Sequence, residues 1–259
     1  MHLVNEYSGG FVFPAIFALL GTLAGWLVVI VSLRLPEMLE RRWAAETADA
    51  QSLIVSDTQP HASGGILAES KSPVARSVRL FFGLFCCAAL FAWCGWRWGP
   101  TWSALMWSGL GASLICLAII DWETTLLPDE ITLPLLWAGL CASGFGLTGT
   151  APEQAIWGAA VGYLSLWSMY WAALLITGNE TMGYGDFKFL AALGAWFGLP
   201  VLLPLILISS ITALVAGICL SRAGAMRQER YVPFGPFISL AGLLALVVSP
   251  NQLLALVGL

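Results

Sequence analysis

Residues 201–220 read VLLPLILISSITALVAGICL, a stretch without a single charged residue. A helix needs about 20 predominantly apolar residues to cross the hydrocarbon core of a bilayer. The stretch therefore predicts a membrane-spanning helix. Strand-like alternation of apolar and polar residues is absent from the chain's apolar segments, which argues against a β-barrel. The fold class that follows is all-α.

The composition supports a membrane protein. Hydrophobic residues make up 59% of the 259 residues and charged residues only 10%, whereas soluble domains average about 25% charged residues. We therefore predict a single membrane domain over residues 1–259, a polytopic bundle of about eight transmembrane helices. The first apolar segment is too long for a signal-peptide core and lacks a preceding basic region, so we interpret it as a retained helix. The eight segments are Phe11–Leu33, Val78–Trp96, Trp102–Ile120, Ile131–Leu147, Glu153–Ile176, Phe187–Phe197, Val201–Leu220 and Phe234–Val257.

The basic residues predict the orientation of the bundle. Arg97 is alone on one side, whereas the odd-numbered connections carry ten basic residues. Because connections rich in Lys and Arg stay in the cytoplasm, we expect both termini on the opposite side of the membrane and four connections inside the cell. The ten residues are Arg34, Arg41, Arg42, Lys71, Arg76, Arg79, Lys188, Arg222, Arg227 and Arg230.

A polar insertion over residues 35–77 separates the first two segments and is predicted to be cytoplasmic. Residues 36–54 have a helical composition, with no Gly or Pro after Pro36. They predict an amphipathic helix along the cytoplasmic leaflet. Residues 56–73 are rich in Ser, Gly and Pro and predict a flexible loop.

Several kinds of site are disfavoured by the sequence. The six cysteines lie in or beside apolar segments and form no C-x-x-C pair, a pattern typical of buried thiols rather than of a disulfide framework. His2 and His61 stand far apart without ligand-spaced partners, so no metal site is predicted. Basic residues are too few for a nucleic-acid partner.

Two aspartates lie at boundaries of apolar segments. Asp121 closes the third segment and Asp186 directly precedes the sixth, and the basic residues place both at the cytoplasmic face. Carboxylates at a membrane boundary are costly and usually functional, and two that share a site can divide into an acid and a base. The alternatives are a water-facing helix end for Asp121 and a helix N-cap for Asp186.

Residues beside the two aspartates suggest supporting roles. After Pro128, the side chain of Asp129 is positioned to cap the next helix. Gly183 and Gly185 allow a tight turn and leave room for an extended peptide beside the following carboxylate. Lys188 is interpreted as an anchor in the lipid leaflet.

Four stretches of the chain together resemble type IV prepilin peptidases, which are inner-membrane members of the GxGD aspartic proteases. They read GWLVVIVSLRLPEMLERRW from Gly25, DWETTLLPDEITLPLLWAGL from Asp121, GYGDFKFLAALGAWFG from Gly183 and VPFGPFISLAG from Val232. The second and third are the specific ones, because a membrane-boundary aspartate with an LPD element precedes the GxGD signature.

The resemblance implies that Asp121 and Asp186 are the catalytic pair. Members of the family remove the basic leader of prepilins and of type II secretion pseudopilins at the cytoplasmic face of the bacterial inner membrane. The resemblance thus implies a multi-pass endopeptidase with periplasmic termini, no cofactor for proteolysis, and pilin precursors and lipid as partners. The supporting residues that it implies are Pro128, Asp129, Gly183, Gly185, Lys188, Pro233, Gly235 and Pro236.

Two departures concern a second activity of the family. Many members methylate the new amino terminus with S-adenosylmethionine, and many carry two C-x-x-C pairs in the first cytoplasmic loop. In those members the two C-x-x-C pairs resemble a zinc site. Residues 36–76 contain no cysteine, so we expect no zinc in this loop. The usual GSFLNVV is replaced by Gly25–Val31, GWLVVIV, which removes its Ser and Asn. Methyltransferase activity is left open.

Other functions are open at this stage. A GxGD protease acting on another membrane substrate would share the same residues. A transporter or proton channel would place carboxylates near the middle of the membrane, whereas the middle of every apolar segment here lacks charge. A membrane assembly partner without catalysis is a further alternative. The sequence does not indicate an oligomeric state.

Overall fold

The computed structural model describes residues 12–53, 73–178, 182–223, 233–248 and 252–253. The principal elements of these ranges are eight helices, and they contain no strand. The all-α prediction is therefore confirmed for the part of the chain that is described. The helices are α1 (Val12–Leu53), α2 (Pro73–Trp98), α3 (Trp102–Thr124), α4 (Asp129–Gly144), α5 (Pro152–Thr177), α6 (Tyr184–Phe197), α7 (Leu199–Arg222) and α8 (Gly235–Val247).

The helices fall into two length classes. Five have the length and composition to cross a membrane: α2, α3, α5, α7 and, in α1, Val12–Leu39. The other three, α4, α6 and α8, have 16, 14 and 13 residues. At 1.5 Å per residue they measure about 20 to 24 Å, less than the hydrocarbon core of about 30 Å. The chain is a polytopic helical membrane protein in which five helices have spanning length. The predicted orientation of the termini stays a prediction.

Helix α1 is longer than the first apolar segment. It continues through Pro36 to Leu53 as one helix of 42 residues, so the first part of the insertion is an extension of α1. Whether this part lies along the leaflet stays a prediction. The predicted flexible loop falls almost entirely outside the described residues, and Pro73 begins α2.

The cysteines follow the sequence prediction only in part. All six are free thiols. Cys87, Cys94 and Cys116 are buried, whereas Cys141 and Cys219 are exposed. Burial was thus wrongly predicted for the last two, because an apolar helix presents one side to its surroundings and a small thiol is tolerated there.

Helix α6 is the centre of the bundle and packs against α4, α5, α7 and α8. Every residue from Asp186 to Phe197 is buried except Lys188. A helix that is apolar on all sides is a core helix, which explains why so short a helix is stable here. The opposing Gly158 and Gly194 let α5 approach α6 closely, since a Cβ on Gly158 would lie 2.3 Å from the Gly194 carbonyl oxygen.

Helices α3 and α8 run antiparallel along one side of this core. Gly235 at the start of α8 lies against Asp121 near the end of α3, and Gly242 lies against Leu114. Gly242 also contacts Leu193 of α6. The ends of α3 and α8 that carry Asp121 and Gly235 are thereby brought together beside the central helix.

Candidate active site

Asp121 lies in the last turn of α3 and is 4% exposed. The backbone N–H of Gly235 donates a 2.8 Å hydrogen bond to its Oδ2 atom. Gly235 is the first residue of α8, so the carboxylate accepts from one of the N–H groups that a helix start leaves without an intrahelical partner. The helix dipole favours negative charge at this position. The water-facing interpretation of Asp121 is therefore wrong.

The start of α8 is built around this contact. A Cβ on Gly235 would lie 2.6 Å from Asp121 Oδ2, so a larger residue would displace the carboxylate. Pro236 follows as the second residue of the helix, where a missing N–H costs no hydrogen bond. Pro233 precedes the helix and is buried. Gly235, one of the supporting residues implied by the resemblance, therefore contacts Asp121 directly.

Asp186 is the third residue of α6 and is 5% exposed. The N-cap position belongs to Gly183, so the N-cap interpretation of Asp186 is wrong. Burial raises the pKa of Asp186, and the charge of Asp121 raises it further, while a hydrogen bond from the Gly183 backbone lowers it. Burial and the Asp121 charge thus favour the protonated form of the Asp186 carboxyl group. The two aspartates are 65 positions apart in the sequence, but α3 and α6 bring them close enough to interact electrostatically.

The two glycines of the signature differ in their surroundings. A Cβ on Gly185 would lie 2.7 Å from Leu127 Cβ, in the connection between α3 and α4. A Cβ on Gly183 would have no described atom within 4 Å. Among the described residues, nothing fills the space beside Gly183, whereas the space beside Gly185 is filled by Leu127. Whether a peptide lies beside Gly183 stays a prediction.

Asp129 and Lys188 form an ion pair, with 2.6 Å between Asp129 Oδ2 and Lys188 Nζ. The N-cap of α4 is Pro128, which is buried, and no side chain caps this helix. The cap interpretation of Asp129 is therefore wrong, because its carboxylate faces α6 instead. The Lys188 ammonium, expected at the lipid leaflet, binds this carboxylate and is 29% exposed.

An aromatic cluster beside Asp186 was not predicted. Phe187 lies 6.0 Å from Tyr163, 5.7 Å from Tyr170 and 5.6 Å from Tyr184 between ring centroids. Tyr163 and Tyr170 are seven residues apart on α5, which places them on the same helix face. That spacing is a signal from which the cluster could have been found.

The stretch Gly25–Val31 lies on α1 and packs against α2. A Cβ on Gly25 would be 2.8 Å from the Gly83 carbonyl oxygen, and one on Gly83 would be 2.8 Å from Val29. Trp26 is 56% exposed. The stretch holds no polar side chain other than the Trp26 indole. Among the described residues, no group of three or more His, Cys, Asp or Glu is placed to hold a metal ion.

The chain is similar in sequence to known proteins over most of its length. The profile of the type IV leader peptidase family matches residues 108–218, a range that includes Asp121 and Asp186. The chain is 36% identical over 258 residues to a Pseudomonas aeruginosa protein, covering 88% of each chain. It is 38% identical over 264 residues to a Pseudomonas putida protein, covering 90% of this chain and 91% of the other.

Both relatives are named prepilin leader peptidase/N-methyltransferase, as is a Burkholderia pseudomallei protein that is 36% identical over 252 residues, covering 86% of this chain and 81% of the relative. No solved structure matches the chain. Identity of this level over most of the length shows that the chain belongs to the type IV leader peptidase family, which confirms the resemblance seen in the sequence.

Proposed function

We propose that this protein is an aspartic endopeptidase of the bacterial inner membrane that removes the leader peptide from type IV prepilins or type II secretion pseudopilins. The observation that carries the proposal is the pair of buried, interacting carboxyl groups of Asp121 and Asp186 in a member of the leader peptidase family. Relatives with 36–38% identity carry the corresponding name.

The environments of the two carboxyl groups suggest different roles. We assign the negative charge to Asp121, which accepts a hydrogen bond from the Gly235 N–H at the start of α8. We assign the proton to Asp186, because burial and the Asp121 charge both raise its pKa. Two buried carboxyl groups that interact do not readily carry a charge at the same time, so one pair can supply a base and an acid.

Peptide hydrolysis follows from these roles. Asp121 accepts a proton from a water molecule while the water oxygen attacks the carbonyl carbon of the scissile peptide bond. Asp186 donates its proton to the carbonyl oxygen. Collapse of the tetrahedral intermediate breaks the carbon–nitrogen bond, the leaving amine takes up a proton from the pair, and a carboxylate and an amine are released. No cofactor is needed for any of these steps.

The distribution of basic residues supports a site that faces the cytoplasm. With eight membrane crossings, ten of the eleven basic residues fall on the side of Asp121 and Asp186. By the positive-inside rule this distribution supports a cytoplasmic site and periplasmic termini. A substrate with an apolar helix would remain in the bilayer, and its leader would reach the aspartates from the cytoplasm.

N-methylation of the new amino terminus is a second candidate function, favoured by the names of the relatives. S-adenosylmethionine would then supply the methyl group. The described residues Gly25–Val31 do not fit this cofactor, because their only polar group is an indole and Gly25 and Val29 are closed off by α2.

Mass spectrometry of a co-expressed prepilin tests both functions. The wild type should yield a product shortened by the leader, and an added 14 Da would report methylation. Asp121→Asn and Asp186→Asn should each abolish cleavage while inserting normally, because Asn keeps the volume but cannot exchange the proton. A matched control is Glu130→Gln, an exposed acid in the first turn of α4.

The outcomes separate the alternatives. Cleavage by either Asn variant at the wild-type rate would reject the carboxyl pair. An uncut prepilin with the wild type would favour a protease for another membrane substrate or a non-catalytic assembly partner. A transporter or proton channel is disfavoured because Asp121 and Asp186 lie at helix ends.

A further inference from the structure

We propose that the ion pair of Lys188 and Asp129 is a positioning element, which fixes the rotation of α6 and thereby the direction of the Asp186 carboxyl group. The inference rests on the proposed function, because the direction of this carboxyl group matters only if Asp186 takes part in the reaction. Neither residue of the pair is placed at the reacting atoms.

The need for such an element follows from the burial of α6. An amphipathic helix is oriented by its own polar and apolar faces, but α6 has no such faces: from Asp186 to Phe197, only Lys188 is not buried. Burial of apolar surface alone therefore specifies the rotation of this helix only weakly. Its rotation is set by close packing, such as the approach of Gly194 to Gly158 on α5, and by its few polar contacts.

Two of these polar contacts join α6 to α4, one near each end. At the end of α6 that carries Asp186, Lys188 Nζ lies 2.6 Å from Asp129 Oδ2. At the far end, Trp196 Nε1 donates to the Leu135 carbonyl oxygen at 2.9 Å. Lys188 and Trp196 are eight residues apart, which is about 12 Å along the helix axis at 1.5 Å per residue. A helix held by one polar contact can still turn about that contact, whereas two contacts at this separation also define its rotation.

The Lys188–Asp129 ion pair is close to the candidate site in sequence and in space. Lys188 follows Asp186 by two residues on the same helix turn, and Asp129 follows the connection in which Leu127 packs against Gly185. The pair and the Gly185–Leu127 contact thus hold the first turn of α6 against one short segment of chain. A loss of either contact would let this turn rotate and carry the Asp186 carboxyl group away from Asp121.

The pair should affect catalysis more than stability. Its side chains are 29% and 49% exposed, and exposed ion pairs add little to the stability of a fold. Placement of a reacting group is more demanding, because an error of about 1 Å can lower a rate about a hundredfold. A positioning role therefore predicts a lower kcat with the melting temperature and KM nearly unchanged.

The test measures kcat and KM for cleavage of a leader-bearing prepilin by the purified full-length protein in detergent, with melting temperatures in parallel. Lys188→Met and Asp129→Asn should each lower kcat about tenfold and change KM less than about twofold. The charge swap, Asp129→Lys with Lys188→Asp, should recover at least half of the decrease in log kcat that the single variants cause. Lys188→Arg, which keeps the pair, and the neighbouring control Glu130→Gln should remain near wild type.

Each result is decisive. Wild-type kcat in Lys188→Met or Asp129→Asn, or a charge swap no better than the single variants, overturns the proposal. If Lys188→Met does not fold, Asp129→Asn tests the same pair from its more exposed side. A wild type that cleaves no more than Asp121→Asn would refute the proposed function instead, so the two failures are distinguishable.

Discussion

Gly235 holds Asp121 through its backbone: its N–H lies 2.8 Å from the Asp121 Oδ2 atom although the two residues are 114 positions apart. The contact places the first turn of α8 directly on a carboxyl group at the end of α3. It satisfies a buried acceptor and orients the helix dipole toward a negative charge. A backbone donor is fixed in direction by the helix to which it belongs, so the carboxylate is oriented without a second side chain.

Gly235→Ala tests this contact. The added Cβ would lie 2.6 Å from Oδ2, so the carboxyl group must move or α8 must shift. We expect a loss of about 1–3 kcal/mol in unfolding free energy and at least tenfold slower cleavage, measured by thermal or denaturant unfolding and by product formation. Gly217→Ala is a matched control, because Gly217 lies within α7 with no described atom within 4 Å of an added Cβ. Wild-type cleavage by Gly235→Ala would contradict the role of this contact.

The two signature glycines should respond differently to alanine. Gly185→Ala would push Cβ to 2.7 Å from Leu127 Cβ, which should lower the melting temperature and reduce kcat through displacement of the first turn of α6. The Cβ of Gly183→Ala would have no described atom within 4 Å, and the Gly183 φ of −79° is accessible to alanine. It should keep the melting temperature and raise KM only, because the methyl group occupies the room offered to a substrate.

The comparison of Gly183→Ala with Gly185→Ala, in melting temperature and in KM, tests the two roles. If Gly183→Ala lowered the melting temperature as much as Gly185→Ala, the difference in packing would not govern the two positions. If Gly183→Ala left KM unchanged, the open space beside Gly183 would not be where the substrate lies.

The cleavage rate should decline at alkaline pH. Burial and the charge of Asp121 raise the pKa of Asp186 above its usual value, which is about 3.9 for an aspartate in water. The general acid is protonated below the raised pKa and loses its proton as the pH rises through it, so kcat should fall on that side. The fall should occur well above pH 4, measured with initial rates between pH 4 and 10 in a constant-ionic-strength buffer.

The same shift has a consequence for stability. Because the folded state binds the Asp186 proton more tightly than the unfolded state, its contribution to stability is complete below about pH 4 and is lost as the pH rises through the folded pKa. Asp186→Asn should remove this contribution and flatten the dependence of the melting temperature on pH. A cleavage rate that keeps rising through the alkaline range would contradict the assigned protonation of Asp186. So would a dependence of melting temperature on pH that is the same in Asp186→Asn as in the wild type.

The sequence predicts some of these features well and others not at all. Eight apolar segments correspond to eight helices, because apolar runs without strand-like alternation favour helices, although only five of the helices have spanning length. Asp121 and Asp186 could be found because a carboxyl group in an apolar environment stands out. The Gly235–Asp121 and Lys188–Asp129 contacts could not, because they join residues 114 and 59 positions apart and depend on how the helices pack.

Local rules also fail where packing provides a better partner. Asp129 follows Pro128 as a capping residue would, yet its carboxylate is drawn to the ammonium of Lys188 on α6. An interaction outside the local sequence window determines this outcome, and the local sequence around Asp129 carries no record of it.

The short helices α4 and α8 also shape the lipid around the protein. Both face outward in part, with Trp137 64% exposed on α4 and Val247 50% exposed on α8, and both fall short of the acyl-chain region by about 6 to 10 Å. Hydrophobic mismatch of this size costs fractions of a kcal/mol per Å, which a bilayer relieves by thinning. Membrane thickness thus becomes a variable that acts on the protein at each of these two helices.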